Sequence, residues 1–262
     1  MRSIALLNQK GGVGKTTTTA NLGACLAMLG KKVLLIDMDP QANLSVHLGM
    51  DIYSLKYSAY DLIAGDCKPD EVIVKTSIPR LDIIPSNIDL SGAEIELVGV
   101  VGRETVLKEN LGDAINSYDY VLIDCAPSLG LLTLNVLTLV HEIFIPVQTE
   151  FFALRGVGKL LDTYEIVRKR LNNALEITGI ILCMYTSRTR LGNEVVEKVR
   201  EHFNDKVFKT IIRKNVKLSE SPSHGKPIVS YAPGSHGSAD YMALAQEVML
   251  QENKEYQTSS NK

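Results

Sequence analysis

Six short apolar runs punctuate the chain, at residues 3–7, 33–36, 81–84, 120–123, 142–145 and 179–183. Most are nearly continuous Val, Ile and Leu, the pattern of strands buried on both faces of a parallel sheet. Between them, residues 15–29, 60–64, 105–116, 131–139, 156–171, 193–203 and 239–250 carry helical spacing, and Gly30 fits a C-cap after the first of these. The alternation predicts an α/β fold, a mainly parallel twisted sheet with helices on both faces. No internal repeat or long linker divides the chain, so residues 1–250 are expected to form a single domain. Residues 251–262 are polar and are expected to fray as a C-terminal tail.

Composition changes this picture little. The chain has 262 residues, 45% of them hydrophobic, enough for a substantial core. Its net charge of -2 gives no sign of a nucleic-acid binder. Cys25, Cys67, Cys125 and Cys183 lack C-x-x-C spacing and read as reduced thiols of a cytoplasmic protein. A glycine-rich loop follows only a few apolar residues, which argues against a signal peptide. No apolar run reaches the roughly 18 residues that a membrane span needs.

Candidate chemistry begins with Asn8-Gln9-Lys10-Gly11-Gly12-Val13-Gly14-Lys15-Thr16-Thr17. A phosphate loop has the pattern G-x-x-x-x-G-K-[ST]. Gly14, Lys15 and Thr16 satisfy its end, but Gln9 stands where the first glycine belongs, and a second lysine, Lys10, precedes Gly11 and Gly12. In a strand–loop–helix setting the loop amides and helix N-terminus form an anion site, and the glycines let backbone approach phosphate. Lys15 is expected to reach the β- and γ-phosphates, and the Thr16 hydroxyl to bind Mg²⁺. Carboxylates end two strands. Asp37 and Asp39 follow the second, and Asp124 follows four apolar residues. An aspartate there suits the outer shell of Mg²⁺. Asp124 alternatively reads as a turn residue before Pro127, and the division of labour between Asp37 and Asp39 stays open.

Together these motifs resemble the deviant Walker A ATPases of the ParA/MinD superfamily. The segment Lys10–Thr17 carries the resemblance, with residues 39–43 (Asp-Pro-Gln-Ala-Asn), 124–128 (Asp-Cys-Ala-Pro-Ser), 146–150 (Pro-Val-Gln-Thr-Glu) and 215–227. They point to the chromosomal ParA (Soj) branch, over residues 2–250. The resemblance implies a P-loop NTPase fold and weak hydrolysis of ATP with Mg²⁺. It implies catalytic roles for Lys10, Lys15 and Asp39. Lys10 would contact phosphates held by the other subunit of an ATP-bound homodimer, and Asp39 would orient water. Nucleotide would be bound by Lys10, Gly11, Gly12, Val13, Gly14, Lys15, Thr16 and Thr17, with adenine near Met184 and residues 211–213, Arg213 included. Ile212 stands where these proteins often have proline. Thr16 would ligate the metal directly and Asp124 through water.

The total charge conceals a segregation. Residues 186–226 hold ten Lys/Arg against five Asp/Glu, a net of +5, and the remainder carries -7. This reads either as a solvated face with helix pairs such as Glu194 and Lys198 or as a DNA-binding surface. The resemblance favours DNA. It implies sequence-independent binding to double-stranded DNA through Arg188, Arg213, Lys214 and Lys217, release by a ParB-type centromere-binding partner, and a nucleoid-associated place in the cytoplasm. Lys217 stands where arginine is frequent and loses the bidentate fork. A MinD-like membrane switch would need an amphipathic basic helix in residues 251–262, which show no apolar stripe. An electron carrier of the nitrogenase-reductase kind would need a pair of cluster cysteines. A small-molecule P-loop enzyme would leave Lys10 and the basic segment without a task. The first strand begins by Ser3, so an N-terminal operator-reading domain is not expected.

Overall fold

The computed structural model describes residues 1–150, 155–187 and 189–259. Eight strands form one sheet: Arg2–Leu6 (β1), Val33–Met38 (β2), Val74–Lys75 (β3), Leu81–Ile84 (β4), Tyr120–Cys125 (β5), Glu142–Gln148 (β6), Glu176–Tyr185 (β7) and Val207–Arg213 (β8). Their order is β3-β4-β2-β5-β1-β6-β7-β8, and β3 against β4 is the antiparallel pair. The parallel pairs run from β4 to β8. This is the mainly parallel α/β fold expected from the alternation.

Both faces of the sheet are covered because strand side chains alternate. On β1, Ile4 and Leu6 join one buried cluster and Ala5 the other. The first helix, Lys15–Met28, is buried almost all round, so its apolar residues form no single stripe. It lies between the sheet and the last helix, His236–Ser259.

Two strands escaped the sequence reading, both at sheet edges. β3 has two residues, and the apolar run of β8 is interrupted by exposed Lys209 and half-buried Thr210. The expected helix 105–116 divides into Val106–Leu111 and a 3₁₀ turn Gly112–Ser117, where Gly112 has φ +47°. The C-terminal expectation also changes. Helix His236–Ser259 continues past residue 250 instead of fraying at Gln251. Polar residues there find partners on the opposite end of the sheet from the glycine-rich loop. Gln251 accepts from Arg2 at 3.2 Å, Lys31 pairs with Glu252 at 3.2 Å, and the Tyr120 hydroxyl donates to Glu252.

The sheet has one point of very close approach. A Cβ on Gly179 would lie 2.5 Å from Phe208 and 2.6 Å from Phe144, whose rings meet edge-on at 5.1 Å. Overpacking of this kind costs about 1–3 kcal/mol. Gly179→Ala should therefore lower the denaturant midpoint in equilibrium unfolding. Gly99→Ala, with nothing within 4 Å of the added carbon, should not.

Candidate functional site

The chemistry-bearing residues gather at the carboxyl ends of β1, β2, β5, β7 and β8, where ligands of open α/β sheets bind. The loop after β1 is pinned by Asn8, whose Nδ2 donates to the Pro146 carbonyl at 2.8 Å and whose Oδ1 accepts from the Lys10 amide at 3.0 Å. Gly12 (φ +73°) and Gly14 (φ +99°) occupy the left-handed region, which admits glycine without strain. An added Cβ at Gly11 or Gly12 would meet nothing within 4 Å, because the space above them is a cavity of about 600 Å³. Lys15, Thr16 and Thr17 line it with Gly11, Gly12 and Gly14. Val13 is 1% exposed and turned into the protein, so only its backbone belongs to the loop's surface.

Register aligns Leu6 and Asp37 with Asp124 across neighbouring strands. Asp124 is fully buried. Thr16 Oγ1 donates to its Oδ2 at 2.6 Å, and Thr19 Oγ1 lies 3.5 Å from its Oδ1. Burial, then the charge of Asp37, raises its carboxyl well above the ordinary range, while Thr16 and Lys15 oppose this. Lys15, 7% exposed, is the nearby buried cation. The set offers one positive charge to an anion and hard oxygen donors to a cation.

The two carboxylates after β2 divide. Asp37 is consumed internally: its Oδ2 accepts from the Ser45 amide at 2.9 Å and the Ser45 hydroxyl at 2.7 Å, and its Oδ1 from the Asp39 amide at 3.2 Å. Burial pushes it up to about 6. Asp39 is half-buried and lines the cavity, and its Oδ1 caps the Gln41 amide at 2.9 Å. Asp37 thus anchors the turn that presents Asp39.

The opposite wall was not anticipated. Asn43 and His47, on helix Asn43–His47, join Gln41, Pro127, Pro222 and Ser223 there. His47 Nε2 and Ser221 Oγ are 3.3 Å apart. Contacts between residues so distant in the chain leave no periodic trace in the sequence. Burial lowers His47 to about 4. Its ordinary value is about 6.5, so the unfolded chain binds a proton there before the native state does. Above pH 6.5 this imposes no penalty. Stability should fall as pH drops from about 6.5 to about 4, by up to about 3 kcal/mol in all. His47→Gln should flatten that segment of the curve in urea unfolding.

A second cavity of about 320 Å³ shares Gly14, Thr17, Met184 and Pro222 with the first, and Cys183, Ile212, Arg213, Lys214 and Leu218 are among the other residues of its wall. Met184, with φ +57°, and Ala42, with φ +53°, are left-handed without being glycine. Such strain costs about 1–3 kcal/mol and collects at functional sites. Arg213 is held by Asp240, with Nη2 to Oδ1 at 2.5 Å and the backbone amide to Oδ2 at 3.0 Å.

Lys10 stands apart from Lys15. It is not part of the cavity wall; its Nζ donates to Gln148 Oε1 at 3.2 Å and lies 3.6 Å from Glu150 Oε2. Lys214 and Lys217 are exposed, and Lys217 bonds to Glu220 at 2.7 Å beside the Tyr231 ring. Arg188 lies outside the described residues.

Residues 1–177 match a family described as AAA domain. The chain is 51% identical over 245 residues to the Sporulation initiation inhibitor protein Soj of Bacillus subtilis, covering 94% of this chain and 97% of that protein. It is 48% identical over 255 residues to the Chromosome partitioning protein ParA of Caulobacter vibrioides, covering 96% and 95%. Among solved structures, a cobyrinic acid a,c-diamide synthase from Mycobacterium smegmatis, solved with bound ADP and magnesium, is similar with TM-score 0.83 and 37% identity over 95% of this chain and 94% of that one. The Pyrococcus furiosus cell division ATPase MinD is similar with TM-score 0.78 and 28% identity over 95% and 99%. With the glycine-rich loop, its two lysines and the Thr16–Asp124 pair in place, the chain belongs to the ParA/MinD superfamily of deviant Walker A ATPases, in its chromosomal ParA (Soj) branch.

Proposed function

We propose that the protein is a partitioning ATPase whose ATP-bound homodimer grips double-stranded DNA without sequence preference and lets go after hydrolysis. The observation that carries this reading is the divergence of the two lysines. Lys15 is buried beside the cavity, and Lys10 points out of it toward Gln148 and Glu150. A lysine that leaves its own cavity is placed to serve a neighbouring copy.

ATP fits the pair of cavities. The larger, lined by bare Gly11 and Gly12, takes the phosphates, and the smaller, walled by Met184, Ile212 and Leu218, takes the base. Lys15 neutralises phosphate charge in cis and Lys10 in trans. Thr16 and Asp124 would hold Mg²⁺, Thr16 directly and Asp124 through water. Among the described residues no group of three His, Cys, Asp or Glu forms a metal cage, and Mg²⁺ is usually shared between a few carboxylates, waters and phosphates. Mg²⁺ bound there would supply polarisation of the phosphate oxygens. Asp39, facing the cavity with one oxygen on the Gln41 amide, orients the attacking water.

A small-molecule enzyme is the rival reading, since a synthase is among the similar structures. Relatives near half identity over almost their whole length, and the basic segment, favour the partitioning reading over it. A ParB-type partner stimulates hydrolysis. The protein works on the nucleoid in the cytoplasm, and among the described residues no helix is long and apolar enough to cross a membrane.

Arg188, Arg213, Lys214 and Lys217 are the DNA contacts. The exposed Lys217–Glu220 pair is worth little and yields readily to a phosphate. With about three of these four on phosphate at once in each subunit, the logarithmic salt slope is about -3 for a monomer and about -5 for a dimer. Joining two patches also makes the second binding step intramolecular. DNA affinity measured against salt should therefore be far higher, and steeper, with ATP than with ADP. Arg188→Glu and Lys217→Glu should weaken binding to all sequences alike and leave dimerisation intact. Equal affinity in the two nucleotide states would overturn the switch, and strong preference for one sequence would indicate an operator-binding regulator.

A further inference from the structure

A concentration of exposed apolar side chains lies on a segment that the nucleotide chemistry does not use. Ile88 (63% exposed), Ile95 (77%), Val98 (61%), Val100 (44%) and Val101 (100%) fall within fourteen consecutive residues. They sit around helix Leu90–Glu96 and the 3₁₀ turn Leu97–Gly99 that prolongs it. Leu90, Ala93 and Leu97 of the same segment are buried in the core. The segment 88–101 thus buries one set of apolar side chains and leaves another uncovered. An uncovered apolar face on a folded chain marks an interaction surface.

Its rim states the charge of the occupant. A cavity of about 380 Å³ opens on this face, lined by Tyr60, Ile88, Asp89, Ser91, Gly92 and Glu96. The Tyr60 hydroxyl donates to both oxygens of Glu96, at 3.1 and 3.3 Å, which holds that carboxylate at the cavity wall. Residues 86–104 contain four carboxylates and one cation, Arg103, and Arg103 is already spent on Glu104 and the Val98 carbonyl. A cavity that sets the Ile88 side chain and the Tyr60 ring beside two carboxylates suits the methylene stem and charged head of lysine or arginine. We propose that this face docks a protein segment in which a basic residue is flanked by apolar ones, the base entering the cavity and the apolar neighbours covering Ile95, Val98 and Val101.

The helix also touches the site. The Glu94 carboxylate is packed against Gly130, and its buried Oε1 has no hydrogen-bond partner. Gly130 ends the loop that follows β5 and gives Pro127 to the phosphate cavity. An occupant that shifts the helix therefore presses on that loop.

The test uses fluorescence anisotropy of a labelled 18-residue amphipathic peptide built of lysine and leucine, beside a counterpart with glutamate for lysine, at moderate salt and without nucleotide. The lysine peptide should bind the wild type and the glutamate peptide should not. Ile95→Asp with Val101→Asp should weaken binding at least tenfold. Asp89→Lys with Glu96→Lys should weaken it similarly and create affinity for the glutamate peptide. All four side chains are exposed, and circular dichroism checks each fold. Amide exchange of the wild type gives an answer independent of any variant, because the peptide should protect residues 88–101. No binding by the wild type, undiminished binding by both variants, or protection elsewhere would overturn the proposal. So would a change of oligomeric mass in the Ile95/Val101 variant, which would assign the face to a second copy of this chain.

Discussion

Lys15→Ala should abolish ATP binding at ordinary nucleotide concentrations, whereas Lys10→Ala should bind ATP like the wild type yet neither dimerise nor hydrolyse it. Lys15 is 7% exposed at the start of the first helix, beside the cavity and within electrostatic reach of Asp124. Removing it takes the positive charge from the phosphate chain. A charged hydrogen bond contributes about 3 kcal/mol at most, which is roughly two decades of affinity before the unbalanced carboxylate is counted. Lys10 has no such place in its own subunit. Its side chain is 40% exposed and its partners, Gln148 and Glu150, are surface residues, so alanine there leaves the fold and the cis site alone. Nucleotide titration and light scattering on both variants separate the two roles. A Lys10→Ala protein that dimerised with ATP as the wild type does would remove the trans contact from the mechanism.

Asp39→Ala should hold the protein in its ATP-loaded form. Asp39 faces the cavity, but no phosphate-cradling group depends on it. Losing a group that positions or accepts a proton from water costs about 10²–10⁴ in rate, or roughly 3–5 kcal/mol of barrier. Single-turnover hydrolysis reads this directly. Asp37 is the counter-candidate, and near-normal cleavage by Asp39→Ala would move the role to it. The hydrogen bonds argue otherwise, because the Ser45 hydroxyl, the Ser45 amide and the Asp39 amide already occupy Asp37. Asp37→Ala should instead loosen the turn and lower stability.

Much of this site was legible because its parts are local. The glycine-rich loop, the Thr16 hydroxyl and the strand-end aspartates sit next to the apolar runs that define β1, β2 and β5, and the buried parallel strands declare themselves by composition. What the sequence did not yield was relational. Nothing in residues 37–45 says that Asp37 folds back on Ser45 and so leaves Asp39 to the cavity. The wall formed by His47 and Pro222 joins segments some 174 residues apart in the chain. Edge strand β8 carries Lys209 and Thr210 at partly exposed positions, which hides it from any search for continuous apolar runs. The polar residues after 250 read as a tail, because their partners, Arg2, Lys31 and Tyr120, lie more than a hundred residues away in the chain.

The central claim is that ATP itself joins two copies through their phosphate loops. Light scattering on the purified chain, with ATP and Mg²⁺ and then with ADP and Mg²⁺, tests it most directly, best in the Asp39→Ala background where turnover does not deplete the ligand. The account predicts twice the mass of one chain with ATP, the mass of one chain with ADP, and a single-chain mass in both when Lys10→Ala is added. The same mass in both nucleotides, or an ATP dimer that survives the loss of Lys10, would contradict it.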